Sequence, residues 1–265
     1  MPILDDIITR TREDLESSRL RLPEERLRKL ALEVKPPYDF AAALRPQPGG
    51  PPRIIAEMKK ASPSKGLIRA DFGVVSLARE LAQHGAAALS VLTEPRFFKG
   101  SPDYLRAAVA NVTIPVLRKD FIIDLYQVYE ARAWGASAIL LIAAALDPAE
   151  FAALHRLARD LGLAVLAEVH DREELKWVLD SGAEIIGVNS RDLRTFETSF
   201  EAARALIAEI PSGRIAVAES AIRTADDIRR LRDAGASAFL IGEVLMRAPK
   251  PGEKLKELLE ATCLS

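Results

Sequence analysis

From residue 54 onward the chain repeats one unit eight times: a short apolar run ending in small or polar residues, then an amphipathic helical pattern. The runs are 54–59, 88–93, 115–121, 138–143, 164–170, 185–191, 215–220 and 238–244. Helical patterns lie between them near 74–84, 102–110, 124–134, 147–161, 171–181, 199–209 and 224–234, and another near 253–261 closes the chain. Glycine stops precede several runs, as at Gly135 and Gly235. The runs are apolar almost throughout, as parallel strands covered on both faces must be. Eight such units predict an α/β chain folded as a closed (β/α)8 TIM barrel. A doubly wound open sheet is the alternative, but no Gly-x-Gly-x-x-Gly turn follows the first run.

The first 53 residues break this rhythm. Ile3, Leu4, Ile7, Ile8 and Leu15 recur at helical spacing, and Pro23 separates a first helix from a second over 24–34. Residues 35–53 hold Pro36-Pro37, a short helical stretch at 40–44, then Pro46, Pro48, Gly49-Gly50 and Pro51-Pro52, which reads as a linker.

Bulk properties narrow the function. Acidic and basic residues are interspersed and sum to −1, which argues against a nucleic-acid groove. The single cysteine, Cys263, cannot close an internal disulfide and fits a reducing compartment, so a cytoplasmic location is expected. No apolar run is long enough to span a membrane, and none near the N-terminus resembles a secretory leader. His84, His155 and His170 are scattered, so no metal site is expected.

Barrel chemistry sits at the C-terminal strand ends. Side chains two apart share a strand face, which pairs Glu57 with Lys59, Leu117 with Lys119, Leu166 with Glu168, and Asn189 with Arg191. If those faces point inward, two glutamates, two lysines, an asparagine and an arginine converge at one mouth. Unpaired buried charges cost several kcal/mol each, so such a ring implies use rather than packing. The polar loop 62–66 follows the first run. The ends of the seventh and eighth, Ser220-Ala221 and Gly242-Glu243, could present backbone N–H groups to an anion.

With these residues in place, the chain resembles the indole-3-glycerol-phosphate synthase family over nearly its whole length. The motifs are Ala-Glu-Met-Lys-Lys-Ala-Ser-Pro-Ser-Lys-Gly (56–66), Ser-Val-Leu-Thr-Glu (90–94), Phe-Phe-Lys-Gly-Ser (97–101) and Leu-Arg-Lys-Asp-Phe-Ile-Ile-Asp (117–124). Further on come Glu-Val-His-Asp (168–171), Asn-Ser-Arg-Asp-Leu (189–193), Glu-Ser-Ala-Ile (219–222) and Leu-Ile-Gly-Glu-Val-Leu-Met (240–246). The resemblance implies a carboxy-lyase of tryptophan biosynthesis without metal or organic cofactor. It closes the ring of 1-(2-carboxyphenylamino)-1-deoxyribulose 5-phosphate to indole-3-glycerol phosphate, releasing carbon dioxide and water. By the same resemblance Lys119 is the general acid, Glu168 the general base and Lys59 the holder of the substrate carboxylate. Glu57 and Asn189 are their polar partners, with Arg191 and Ser62 beside them. Phe98, Phe121, Leu140, Ile142 and Leu193 form the apolar pocket. Ser220, Ala221, Gly242 and Glu243 form the phosphate loop. Residues 1–53 form a helical extension covering the mouth, and 54–265 the barrel. The expected partner is one small phosphorylated substrate, with no nucleic acid or membrane; a monomer is expected, and a weak dimer is the alternative.

Several expectations follow. A lysine near other cations should have a lowered pKa, and a carboxylate among apolar residues a raised one. The family usually has glycine where Ala221 stands, which predicts weaker phosphate binding. His170 reads as a turn-opening residue without a catalytic part, and Glu219 as a supporting residue pointing away from Ser220. Lys60 and Arg118 face outward and should be ion-paired; Trp134 and Trp177 read as packing residues. A Schiff-base lysine aldolase and a catalytically weak or silent phosphate-binding barrel are the functional alternatives.

Overall fold

A computed structural model describes residues 3–47, 49–191 and 199–262. Eight parallel strands close into a barrel in which chain neighbours are also sheet neighbours. They are β1 (Arg53–Met58), β2 (Ala88–Leu92), β3 (Val116–Lys119), β4 (Ala138–Ile142), β5 (Ala164–Val169), β6 (Ile185–Asn189), β7 (Ile215–Glu219) and β8 (Ala238–Ile241). The closing pair is β1 with β8, in register at Ile55↔Leu240. The connecting helices are α4 (Val74–Gln83), α5 (Pro102–Val109), α6 (Leu125–Ala133), α7 (Pro148–Asp160), α8 (Arg172–Asp180), α9 (Phe200–Ile207) and α10 (Ala225–Asp233). The last strand run is shorter than its apolar pattern: β8 stops at Ile241, and Glu243–Arg247 forms the short helix α11 before α12 (Pro251–Ala261). Val244, read as strand, belongs to α11 because Gly242 leaves the extended conformation (ψ −64).

Alternation splits the strand residues between two cores. Ile54, Leu89, Ile139, Val165, Ile186 and Phe239 point outward and pack under the helices. Ile55, Leu117, Leu140, Leu166, Ile185, Val217 and Leu240 point inward and fill the barrel. Trp177 packs edge-on against Phe151 in the outer layer. Arg118 points outward too, where it pairs with Asp120 (2.9 Å) and Glu130 (3.3 Å) under the Trp134 ring. Lys60 forms no ion pair among the described residues; its carbonyl instead accepts the N–H groups of Ile68 and Arg69.

The N-terminal helices are α1 (Ile3–Arg21), α2 (Glu24–Glu33) and α3 (Phe40–Leu44). Helix α1 runs beside the loops at the C-terminal strand ends, tied by Asp14 to Arg96 (2.6 Å) and by Arg19 to Asp124 (2.7 Å). Tyr126 of α6 donates its hydroxyl to the Ser18 and Leu22 carbonyls, which fixes the α1–α2 turn. Helix α3 lies elsewhere. Asp39 caps it, and Phe40 and Leu44 are fully buried with Ile55, Ala88, Ile185 and Ala238 near the strand starts. Arg45 pairs with Glu184, just ahead of β6 (2.5 Å). The 1–53 segment is thus divided between the two ends of the barrel, and 35–53 is not a free linker. Its prolines and glycines mark turns, but the i, i+4 pair Phe40 and Leu44 supplies a plug of core residues.

Truncating that plug should be costly. Phe40→Ala is expected to lower unfolding stability in urea by about 3–5 kcal/mol. A loss under about 1 kcal/mol would show that the barrel floor closes without Phe40.

Candidate active site

The inward side chains change character toward the C-terminal ends, where they line a cavity of about 380 Å3. Strand register sets them level with one another: Glu57 lies opposite Ser90, Lys119 opposite Leu92, Glu168 opposite Ile142, and Asn189 opposite Glu219. The cavity brings together Glu57, Lys59, Lys119, Glu168, Asn189 and Arg191 from the polar set. It also brings in Ser62, Phe98, Phe121, Leu140 and Ile142, and on the far side Ser220, Ala221, Gly242 and Glu243. Leu193 lies outside the described residues.

Three carboxylates and two lysines form the centre. Glu57, Glu168 and Glu219 are each 3% exposed or less. Lys59 Nζ is 2.6 Å from Glu57 Oε1. Lys119 Nζ sits between Glu168 Oε2 (3.1 Å) and Glu219 Oε2 (3.3 Å). Asn189 Nδ2 donates to Glu168 Oε1 (3.2 Å), while its Oδ1 accepts from Ser220 Oγ (2.8 Å) and the Arg191 N–H (3.1 Å). The Asn189 amide is therefore held in one orientation and links the carboxylate to the end of β7. Two glycines make this crowding possible. A Cβ at Gly187 would stand 2.2 Å from Glu219 Oε1, and one at Gly242 would stand 2.5 Å from Glu57 Oε1. Gly242 was expected at the phosphate loop; its missing side chain also makes room for Glu57.

The apolar wall is fixed from outside the barrel. Phe98 and Phe121 face each other across 6.0 Å between ring centroids. The Glu94 carboxylate accepts the N–H groups of Arg96, Phe97 and Phe98 (2.8, 2.7 and 2.9 Å) and so shapes the loop that carries Phe98. Asp120, held by Arg118 and Thr93, accepts the Phe121 N–H at 2.9 Å.

The charges settle differently from the expectation. Burial would lower Lys119, but Glu168, Glu219 and Glu57 outweigh it and hold the ammonium well above the usual lysine range. Burial would raise Glu168, but Lys119, His170 and the Asn189 bond hold it down at about 2. Glu57 is also lowered: Lys59 and Lys119 overcome the effect of burial. Both expected directions are reversed, because Lys119 stands among carboxylates and Glu168 among cations and donors. Glu219 is the odd acid. Burial raises it and Glu168 and Glu57 add to this, so that despite Lys119 it is pushed up to about 8. One neutral acid beside one firmly ionised carboxylate is the separation that acid–base chemistry uses.

Glu219 also lies on the inner face, with Val217, rather than in a supporting layer. Alternation alone placed it opposite Ser220. The strand rule ends there, since Ser220 and Ala221 take left-handed backbone angles (φ 63 and 54), which turn Ser220 back toward Asn189. The inward parity of Ile215 and Val217 was the signal that could have found Glu219. His170, read as a turn-opening residue, also lies close to this centre: its Nε2 is 3.5 Å from Glu168 Oε1.

The raised Glu219 has a measurable sign. The folded protein keeps a proton that the unfolded chain gives up near 4.5, so stability falls as pH rises from there through 8. Glu219→Gln should remove that decline, and its Tm advantage over the parent should grow from about pH 5 to about pH 9. A gap that stays constant over this range would mean that Glu219 is ionised in the folded protein.

The model of the indole-3-glycerol phosphate synthase family matches residues 4–258. The chain is 50% identical over 257 residues to the indole-3-glycerol phosphate synthase of Polaromonas naphthalenivorans, covering 97% of this chain and 98% of that protein. It is 49% identical to that of Acidithiobacillus ferrooxidans, with the same coverage. Among solved structures, a thiamine phosphate pyrophosphorylase from Pyrococcus furiosus superposes with a TM-score of 0.61 at 16% identity. That alignment covers 80% of this chain and 97% of the other and speaks for the barrel fold alone. Eight strands in barrel order, a carboxylate–lysine mouth and half-identical relatives over almost the full length agree: the chain belongs to the indole-3-glycerol phosphate synthase family.

Proposed function

We propose that this mouth closes an indole ring, with Lys119 as the acid and Glu168 as the base. The substrate is 1-(2-carboxyphenylamino)-1-deoxyribulose 5-phosphate. The observation that carries the reading is Lys119 held between Glu168 and Glu219 at the wall of an apolar cavity. The substrate needs an apolar slot for an aromatic ring, a cation for its carboxylate, and an anion site for its phosphate. Phe98, Phe121, Leu140 and Ile142 suit the ring, Lys59 the carboxylate, and the Ser220–Ala221 and Gly242–Glu243 turns the phosphate. Arg223 and Arg247 also line that side and add positive charge. Glu243 contributes through its backbone, since its carboxylate is tied to Arg247 at 2.9 Å. Ser62 Oγ is buried without a partner among the described residues, which suits a hydroxyl or phosphate oxygen.

In the first step the ring carbon bearing the carboxylate attacks the ketone carbon. The carbonyl π pair moves to oxygen, and Lys119 delivers its proton there, leaving a hydroxyl. The carbon–carboxylate bond then breaks, its electron pair restores the aromatic ring, and carbon dioxide departs. In the last step Glu168 takes a proton from the carbon next to nitrogen. The new hydroxyl leaves as water with a proton from Lys59, and the indole double bond forms. Glu57 and Asn189 hold the ribulose hydroxyls, and Arg191 stands beside them. The raised proton affinity of Lys119 keeps it charged until negative charge develops on the carbonyl oxygen. It also weighs against a Schiff-base aldolase, which needs a neutral amine. We further infer a monomer acting in the cytoplasm. A barrel whose site is assembled from one chain and a sequence with a single cysteine support that reading.

Mixing the protein with this substrate should give rising indole fluorescence. Lys119→Ala and Glu168→Ala should each lower kcat by at least about 100-fold. Turnover surviving in either variant would remove that residue from its role; substrate binding without turnover by the parent would instead identify a silent barrel.

Ala221 supplies a second check. A left-handed backbone costs a non-glycine residue about 1–2 kcal/mol, and Ala221 takes one (φ 54) where it lines the cavity. Ala221→Gly should lower KM and leave kcat nearly constant. If KM does not move, the turn is not where the phosphate is held.

A further inference from the structure

His170 follows β5 two residues after Glu168, on the same face, and its ring is caught between two carboxylates. Glu174, one turn into α8, accepts both the His170 backbone N–H (2.7 Å) and ring Nδ1 (3.2 Å) on a single oxygen. That double hold fixes the ring and places the proton on Nδ1. Nε2 then faces Glu168 Oε1 at 3.5 Å, buried and with no hydrogen-bond partner among the described residues. A neutral ring would aim a lone pair at a carboxylate. A protonated ring would aim an N–H at it, and a movement of a few tenths of an ångström would complete the bond. His170 is not among the residues lining the cavity, so it reaches the chemistry only through Glu168.

Glu168 uses its two oxygens for different partners. Oε2 takes Lys119, whereas Oε1 takes Asn189 and faces His170. When Lys119 turns to the substrate's carbonyl oxygen and gives up its proton, Glu168 loses the nearest cation just before it must act as a base. We propose that His170, held by Glu174, is the positioning residue that keeps Glu168 ionised and aimed while Lys119 is engaged with substrate. This rests on the assignment of Glu168 as base. Among the described residues, Glu168 of β5 and Glu174 of α8 flank the His170 ring, Glu219 of β7 attracts it from further off, and Lys119 of β3 lies behind Glu168. Burial opposes charge on the ring, but Glu174, Glu168 and Glu219 outweigh it and raise its proton affinity.

The test compares pH profiles of kcat and KM for the parent, His170→Asn, Glu174→Gln and Glu168→Gln. His170→Asn keeps a donor near the Nδ1 position and removes Nε2. Glu174→Gln leaves the histidine in place but loosens and discharges it. In both, the acid limb of kcat should move up by about one pH unit, a tenfold loss of kcat below the limb, with KM within about twofold of the parent. Titration of the imidazole by 15N NMR gives a readout independent of turnover: the His170 pKa should fall in Glu168→Gln and in Glu174→Gln. A loss of thermal stability with an unmoved limb and unmoved ring titration would reduce His170 to a turn residue and overturn the proposal. If His170→Asn does not fold, Glu174→Gln decides alone on the same two readouts. Full turnover in Glu168→Gln would instead sink the base assignment, a failure distinct from an inactive Glu168→Gln beside unshifted His170 and Glu174 variants.

Discussion

Lys119 between Glu168 and Glu219 is the contact on which the rest of the mouth depends. Three buried carboxylates that face one cavity cannot all ionise without cost. The buried ammonium settles the matter by pairing with one and partly compensating another. Glu168 is left charged, Glu219 is left protonated, and Lys59 answers Glu57 separately. The arrangement resembles a core in burial but not in chemistry. Its protons are distributed unevenly, and that unevenness is what a reaction with one proton delivery and one proton removal requires.

Holding such a cluster takes room and rigidity. Gly187 and Gly242 leave the space that Glu219 and Glu57 occupy. Below them the barrel is packed solid with Ile55, Leu117, Leu166 and Val217, and α3 closes the floor with Phe40 and Leu44. Outside the strands, Arg118, Asp120 and Glu94 spend their hydrogen bonds on the loops that carry Phe121 and Phe98. Buried charged groups beside and behind the wall thus position the apolar groups that form it. Loops place Phe98 and Phe121, while the strands set Lys119 against Glu168.

Much of this was legible in the chain. The strand–helix repeat located all eight strands within a few residues, because buried parallel strands and amphipathic helices leave different periodicities. Alternation brought Glu57, Lys59, Lys119, Glu168 and Asn189 to one face. It failed at Glu219, where the chain leaves the extended conformation one residue later and the parity of Ser220 no longer says where its neighbour points. Composition misled at 35–53, where prolines and glycines concealed two core residues. At 238–244 the apolar run continued past the end of the strand into a helix.

What the sequence by itself determined was the order of strands and helices, the barrel they close, and which residues stand at the strand ends. These depend on local periodicity, and local periodicity is written residue by residue. The protonation of those residues was decided only by the tertiary structure. Lys119 and Glu168 each carry a pKa opposite to the one their residue type and expected surroundings suggested, since each is set chiefly by the other, 49 residues away on another strand. The same holds for His170, whose part depends on Glu168 and Glu174 meeting on either side of one ring. Electrostatic partners are set by distance in space, and only the closed barrel fixes that distance.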